Sequence, residues 1–397
     1  MKKLIFFLTI TLVFSQTVAC RQPTEYPTDN EVLWKSIISP NLIGGEFPKF
    51  VHKNAIISQG VKNRAMAVMA FDKNTGKELW TWTDTFPEEI EPFTQFVHVY
   101  QNILVWRRAG RVYAINLDNG KTVWKERAIH SRGWGLGSAV SGLGEHFLFH
   151  TSDKEYFSGH TRSGNLRQYP TLITPTRTIY SATQMFLNAS PNMLENAALN
   201  DTIAILPFGI PITGQVAIGF TVFNLTQNKE VYTSTLPGDT SGVFFLPPTI
   251  HEGKLYFPSG SYILAFDLKS GKLLWKENFP SLFSGSGIIY HDGMIIGNCE
   301  DTFMYALDAK TGKQLWATKT SGTSSRLFEM NGVIYFTGGG DGLLHAVDAK
   351  TGKHIWKKES PDLQRNGGAW FFDSVTGADG KIYVSSYLSL FCYKAAR

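Results

Sequence analysis

The sequence predicts an all-β fold: an eight-bladed β-propeller of four-stranded antiparallel blades, its ring closed by an N-terminal strand. Three observations predict it. A tract of the form AxDxxTGKxxW recurs along the chain. A tight-turn dipeptide precedes each clear copy. The last copy lacks one strand, which residues near the N-terminus can supply. A seven-bladed ring, with one degraded copy set aside, is the alternative.

The clearest copy is 332–356, GVIYFTGGGDGLLHAVDAKTGKHIW, and it repeats at 293–316 and 253–275. Indexed by the first polar residue of the turn, the copies stand at Asp72, Asn116, His160, Asn224, Asp267, Asp308 and Asp348, with those at His160 and Asn224 degraded. Asp or Asn there can bond backbone amides of its own turn. Gly76, Gly120, Gly164, Gly271, Gly312 and Gly352 follow four residues later, where a hairpin needs positive φ, and Asn228 stands in for them in the fourth copy. Trp80, Trp124, Trp275, Trp316 and Trp356, with Tyr232 in the fourth copy, carry large apolar area for docking onto the neighbouring unit. Ala70, Ala114, Ala265, Ala306 and Ala346 are the small residues that let sheets approach. Glu252-Gly253, Asp292-Gly293, Asn331-Gly332 and Asp379-Gly380 mark the hairpin before each unit. After 381–385 and 388–393 the last unit stops, and residues 31–35, EVLWK, match 272–276, KLLWK, so Trp34 is expected to dock like the other tryptophans. Pairing the two ends would remove exposed edges.

The N-terminus reads as an address. Lys2 and Lys3 precede an apolar run of about 11 residues, too short to span a bilayer. Thr17-Val18-Ala19-Cys20 then resembles the lipobox of bacterial lipoproteins, which implies lipidation of Cys20, export, and attachment without a spanning helix. Arg21, not Asp, follows the cysteine, so the periplasmic face of the outer membrane is the expected destination. The expected organisation is a signal peptide over 1–19, a polar tether over 20–30 and one propeller domain over 31–397.

Composition excludes some classes. A net charge of +5 with no Lys/Arg run gives no nucleic-acid surface. Three cysteines, Cys20, Cys299 and Cys392, make no disulfide framework. Cys299 and Cys392 read as small core residues.

The signature is similar to the repeat of pyrroloquinoline-quinone-type propellers, where it is the tryptophan-docking motif between blades. Behind a lipobox, eight blades also resemble the propeller lipoprotein subunit of the outer-membrane β-barrel assembly machinery. The first resemblance implies a dehydrogenase using pyrroloquinoline quinone with calcium. The second implies a non-catalytic scaffold with β-barrel assembly factors as partners.

Catalytic signals are sparse. Adjacent cysteines, which the quinone enzymes carry, do not occur, and neither do GxSxG, HExxH, CxxC or a Walker-type loop. Asn298, Glu300 and Asp301 form the best oxygen cluster for calcium, and a plain β-turn explains them as well. His146 and His150 flank a strand. His345 and His354 replace Tyr305 and Gln314 of the preceding copy, so they read as variable positions.

Binding residues are expected on the face that carries both the connections between blades and the second-to-third-strand turns. Arg132 and Trp134, Asp239, Arg326, and Arg365 with Trp370 lie in such connections. Arg and Trp are enriched among interface hot spots. The interval between His160 and Asn224 exceeds its neighbours by about twenty residues. Within this insertion, 171–200, Ser190-Pro191 reads as the cap of a short helix with Leu194, Ala197 and Ala198 on one face, and the insertion either adds a specific function or plugs a weak blade. The expected function is a non-catalytic binding platform in the cell envelope. A quinone-dependent dehydrogenase and a dedicated partner-binding lipoprotein, for immunity or adhesion, are the alternatives.

Overall fold

The computed structural model describes residues 32–38, 49–63, 65–86, 97–108, 111–126, 141–150, 156–168, 192–196, 201–212, 215–235, 248–283, 287–322, 324–363, 370–371 and 374–397. These residues form strands and turns, with no helix among them. They make eight four-stranded antiparallel sheets, spanning 50–82, 97–126, 141–168, 192–235, 249–278, 288–319, 328–358, and 376–394 completed by Val32–Ile37. The N-terminal strand lies antiparallel to Ser389–Lys394, with Trp34 opposite Cys392. Residues 1–31, which include the expected signal peptide, the expected tether and Cys20, lie outside the described residues.

Where burial is described, the middles of the two inner strands are buried, and the second strands Met294–Asn298 and Val333–Thr337 are buried along their whole length. Their near-continuous apolar runs follow from being covered by a neighbouring sheet on each face. The outer strand, such as Gln314–Lys319, alternates between half-buried and exposed. Leu33, with Ile37 on the same strand, and Leu79, Val123, Leu274 and Leu315 are exposed on the outer strands of five of the sheets.

The repeat tract is a docking device between sheets. Each tryptophan sits opposite the small residue of its own sheet: Ala70 faces Trp80, Ala114 Trp124, Ala265 Trp275, Ala306 Trp316 and Ala346 Trp356. A β-bulge follows each of these alanines and re-aims the strand locally. The ring then lies on the turn glycine of the next sheet. A Cβ on Gly120 would come within 2.5 Å of Trp80, and one on Gly352 within 2.6 Å of Trp316. The indole N–H donates to the carbonyl just after the next sheet's index residue: Trp80 to Leu117, Trp124 to Thr161 and Trp275 to Ala309, at 3.2, 2.8 and 3.1 Å. Tyr232 does the same with its hydroxyl, to Leu268. Trp34 carries the pattern from the eighth sheet to the first, donating to Lys73 O at 3.1 Å with its ring against Gly76. In that sheet Cys392 takes the place of the alanine, which accounts for a small buried residue there. Trp316 departs from the pattern, its Nε1 being buried without a partner. The index aspartates close their turns: Asp72 accepts from Asn74 N, Thr75 N and Thr75 Oγ1.

One expected element is corrected. Asn192–Asn196, within the interval read as a helix, is the first strand of the fourth sheet, and Asn192 faces Ile205. Five residues form no stable isolated helix, whereas Asp201–Ile212 satisfies their backbone groups. Ser190, Pro191, Ala197 and Ala198 lie outside the described residues. Cys299 and Cys392 are both free and buried, and burial pushes both thiols up, to about 11 and about 12.

Candidate functional site

On the face of the second-to-third-strand turns, the turn of the seventh sheet, 338–343, is gripped from both sides. The glycine run in the sequence is explained by what presses on it. A Cβ on Gly338 would stand 2.2 Å from both Ser321 Oγ and Asp341 Oδ1, and one on Gly340 would stand 2.5 Å from Ser321 O. Gly342 adopts φ +65, and a Cβ there would meet Trp370 at 2.9 Å. The preceding connection thus presses Ser321 into the turn, and the following one lays Trp370 over it.

Asp341 organises the turn. Its Oδ1 accepts from Leu343 N at 3.1 Å and lies 3.1 Å from His345 Nε2. His345 is fully buried and stacks on Phe336 at 4.6 Å. Burial pulls its pKa down, against the opposing effect of Asp341. Burial also draws the Asp341 carboxyl up, but the His345 hydrogen bond and the Leu343 amide hold it below the usual carboxylate value. A neutral imidazole donating from Nε2 to a carboxylate satisfies both directions. Nδ1 is then an acceptor, buried without a partner, and Ser321 Oγ is likewise buried and unpaired. The sixth sheet repeats the device with Asp301, which accepts from Phe303 N and from the Tyr305 hydroxyl.

His345 is therefore not a merely variable position. The sequence signal was Asp-x-x-x-His across the turn, in register with Asp-x-x-x-Tyr one repeat earlier. Ser321 was not foreseen, because its role comes from a connection packing on the next sheet. His354, half-buried, faces Lys319 O at 2.9 Å.

Of the expected binding residues, Trp370 is 47% exposed. It is displayed by its neighbour Phe371, which is buried edge-on against Phe391 and whose amide donates to Gly342 O at 3.3 Å. Arg326 is half-buried, and its carbonyl accepts from Ser325 Oγ at 3.1 Å. Arg132, Trp134, Asp239 and Arg365 lie outside the described residues.

The oxygen cluster of Asn298, Glu300 and Asp301 does not converge. Asn298 Oδ1 accepts from Thr320 Oγ1 at 2.8 Å, and its Nδ2 donates to Gly322 O. Both Asp301 oxygens are engaged within their own turn, and Glu300 is exposed. Those three residues do not fit a calcium cage, which needs several oxygens turned to one point. Among the described residues no group of three His, Cys, Asp or Glu side chains gathers to hold a metal. His146 packs edge-on against His160, which itself lies 3.2 Å from Glu145.

Four-stranded sheets docked by tryptophan on the turn glycine of the next define a β-propeller of the pyrroloquinoline-quinone-like repeat class. The family model described as outer membrane protein assembly factor BamB matches residues 26–195 and 220–397, and the chain belongs to that family. Among solved structures, BamB from Moraxella catarrhalis is similar with a TM-score of 0.58 at 15% identity, over 91% of this chain and 98% of that one. A europium-containing methanol dehydrogenase is similar with a TM-score of 0.64 at 14% identity, over 89% of this chain and 84% of that one. At these identities the likeness is one of fold. Among curated relatives, the quinoprotein alcohol dehydrogenase PedH of Pseudomonas putida is 29% identical over 24% of this chain and 18% of its own length. The tetrathionate hydrolase of Acidithiobacillus ferrooxidans is 24% identical over 67% of this chain and 52% of its own. The chain thus spans from about a fifth to about half of these relatives.

Proposed function

We propose that the protein is a non-catalytic binding platform of the bacterial envelope, anchored through a lipid on Cys20 at the periplasmic face of the outer membrane, and that its partners are β-barrel assembly factors. The observation that carries this reading is the family match over both halves of the chain. Two features support it. Asn298 and Asp301, two of the three oxygen-bearing residues weighed for calcium, are spent on internal bonds. An exposed tryptophan is held in place on the connection face by a buried anchor, as interface hot spots often are. Trp370 and Arg326, with Arg132, Trp134, Asp239 and Arg365, are the residues assigned to the partner surface.

The test is affinity recovery of the tagged full-length protein from detergent-solubilised membranes, with mass spectrometry of what accompanies it. A β-barrel assembly factor at near-equal amount supports the reading. Recovery of one unrelated protein moves the weight to a dedicated binder. The quinoprotein relatives and the methanol dehydrogenase likeness favour a second reading, a quinone-dependent dehydrogenase. Titration with pyrroloquinoline quinone and calcium, read by quenching of tryptophan fluorescence, tests it; unchanged fluorescence removes it.

A further inference from the structure

The turns between first and second strands and those between third and fourth strands share one face of the ring. Contacts across neighbouring sheets join them: Lys53 with Asp118, Lys73 with Asp379 and Arg397 with Asp348, each at 2.6 Å. The closing strand starts on this face too. Val32 lies opposite Tyr393, at the end of the eighth sheet where Lys381 faces Lys394 and where the Asp379-Gly380 turn stands. The chain before residue 32 therefore joins the ring on this face. Cys20 stands twelve residues earlier, so a lipid on it holds Val32 within about 40 Å of a bilayer.

The charges of this face are sorted by distance from the ring axis. First strands of neighbouring sheets touch one another, so their turns lie toward the axis and the third-to-fourth turns toward the rim. In the fifth, sixth and seventh sheets the rim turns expose Lys269, Lys272, Lys310, Lys313, Lys350 and Lys353. None of these six forms an ion pair among the described residues. The turns use only the backbone of such lysines, as with Lys310 N on Asp308 and Lys313 N on Thr311. The three aspartates of the same turns are half-buried and spent inward. Asp308 Oδ1 accepts from Lys310 N, Thr311 N and Thr311 Oγ1, and Asp267 and Asp348 likewise bond their own turns. The exposed acids Glu252 and Asp292 stand in the axial turns, each 3.6 Å from the histidine before it. Two residues beyond Lys272 and Lys313, Leu274 and Leu315 are exposed near the start of the outer strand. Unpaired ammonium groups beside exposed leucines suit an anionic lipid surface, with charge on phosphate and the apolar side chain at the acyl boundary.

We propose that this lysine-and-leucine rim rests on anionic phospholipid of the membrane that holds the anchor, and so turns the connection face with Trp370 away from the bilayer, toward protein partners. This orientation rests on the lipid-anchored platform reading and adds a second surface to it. Full-length lipoprotein carrying photoreactive benzoylphenylalanine at 315 or at 370 is reconstituted into vesicles of phosphatidylcholine with phosphatidylglycerol, or of phosphatidylcholine alone. The vesicles are floated, irradiated and assayed for lipid joined to the chain. Position 315 should crosslink to lipid and position 370 should not. The yield from 315 should fall about tenfold without phosphatidylglycerol, and as far in Lys310→Glu with Lys313→Glu. Both lysines are exposed and unpaired, so that double variant should keep its melting midpoint. Equal yields in the two kinds of vesicle overturn the proposal, as do a yield unmoved by the double variant and lipid reached from 370 in place of 315. If the chain floats with the vesicles but neither position reaches lipid, the anchor stands and this orientation falls. If the chain does not float, both fall.

Discussion

Lys35, on the N-terminal strand, places its ammonium group against the carboxylate of Asp362, a residue of the connection between the seventh and eighth sheets. The Asp362 side chain is 1% exposed, and its other oxygen accepts from Ser386 Oγ at 2.7 Å. The closing strand is thus held by a buried charge as well as by its ladder. Lys35→Met should destabilise the protein by about 3 kcal/mol, because it strands a buried carboxylate. Denaturant midpoints check this, and Lys35→Met with Asp362→Asn together should recover much of the loss. Removal of residues 31–36 should abolish the single cooperative transition.

Gly120 and Gly253 share a left-handed backbone, at φ +67 and φ +71, so alanine strains both alike. They differ in surroundings: a Cβ on Gly253 meets nothing within 4 Å, whereas one on Gly120 strikes the Trp80 ring. Gly120→Ala should therefore cost about 1–3 kcal/mol more than Gly253→Ala. In a Trp80→Ala background that excess should vanish, as a double-mutant cycle would show.

His345 bears on pH. Its pKa in the fold lies below the ordinary 6.5. Between the two values the unfolded chain binds more protons, so stability rises with pH across that window. The contribution is complete above about 6.5 and is lost as pH falls toward the folded value. His98 and His354, also lowered by burial, act in the same direction. Melting midpoints should therefore drop from pH 7 to pH 5, and His345→Gln should flatten the slope.

Trp370 and Phe371 are neighbours with opposite duties. Phe371→Ala should cost about 3–5 kcal/mol, as loss of a buried ring does. Trp370→Ala uncovers the turn at Gly342 and should cost about 1 kcal/mol, well below Phe371→Ala, yet weaken partner recovery at least about tenfold. Chemical denaturation and quantitative affinity recovery separate the two.

The propeller was legible because its docking device is written in single residues. Asp72, Gly76 and Trp80 each do one job, at spacings that recur. The fourth sheet was harder to read. Its tryptophan is Tyr232, its turn glycine is Asn228, and its first strand carries too few apolar residues to mark a period, so Asn192–Asn196 passed for a helix. The gripped turn at Gly338 was visible as a break, but not as a site. What closes on it, Ser321 and Trp370, comes from connections whose placement no local pattern encodes.

The pairing of Val32–Ile37 with Ser389–Lys394 also sets an order of events. Whichever machine delivers this polypeptide N-terminus first, the strand around Trp34 emerges long before its mate around Cys392. Throughout that interval it is an apolar segment in search of a neighbour, and the last strand of a second molecule would suit it equally well. Assembly of this protein is therefore a race between finishing its own chain and borrowing the tail of another. Crowding of nascent chains, rather than their intrinsic stability, should decide how often the exchange occurs.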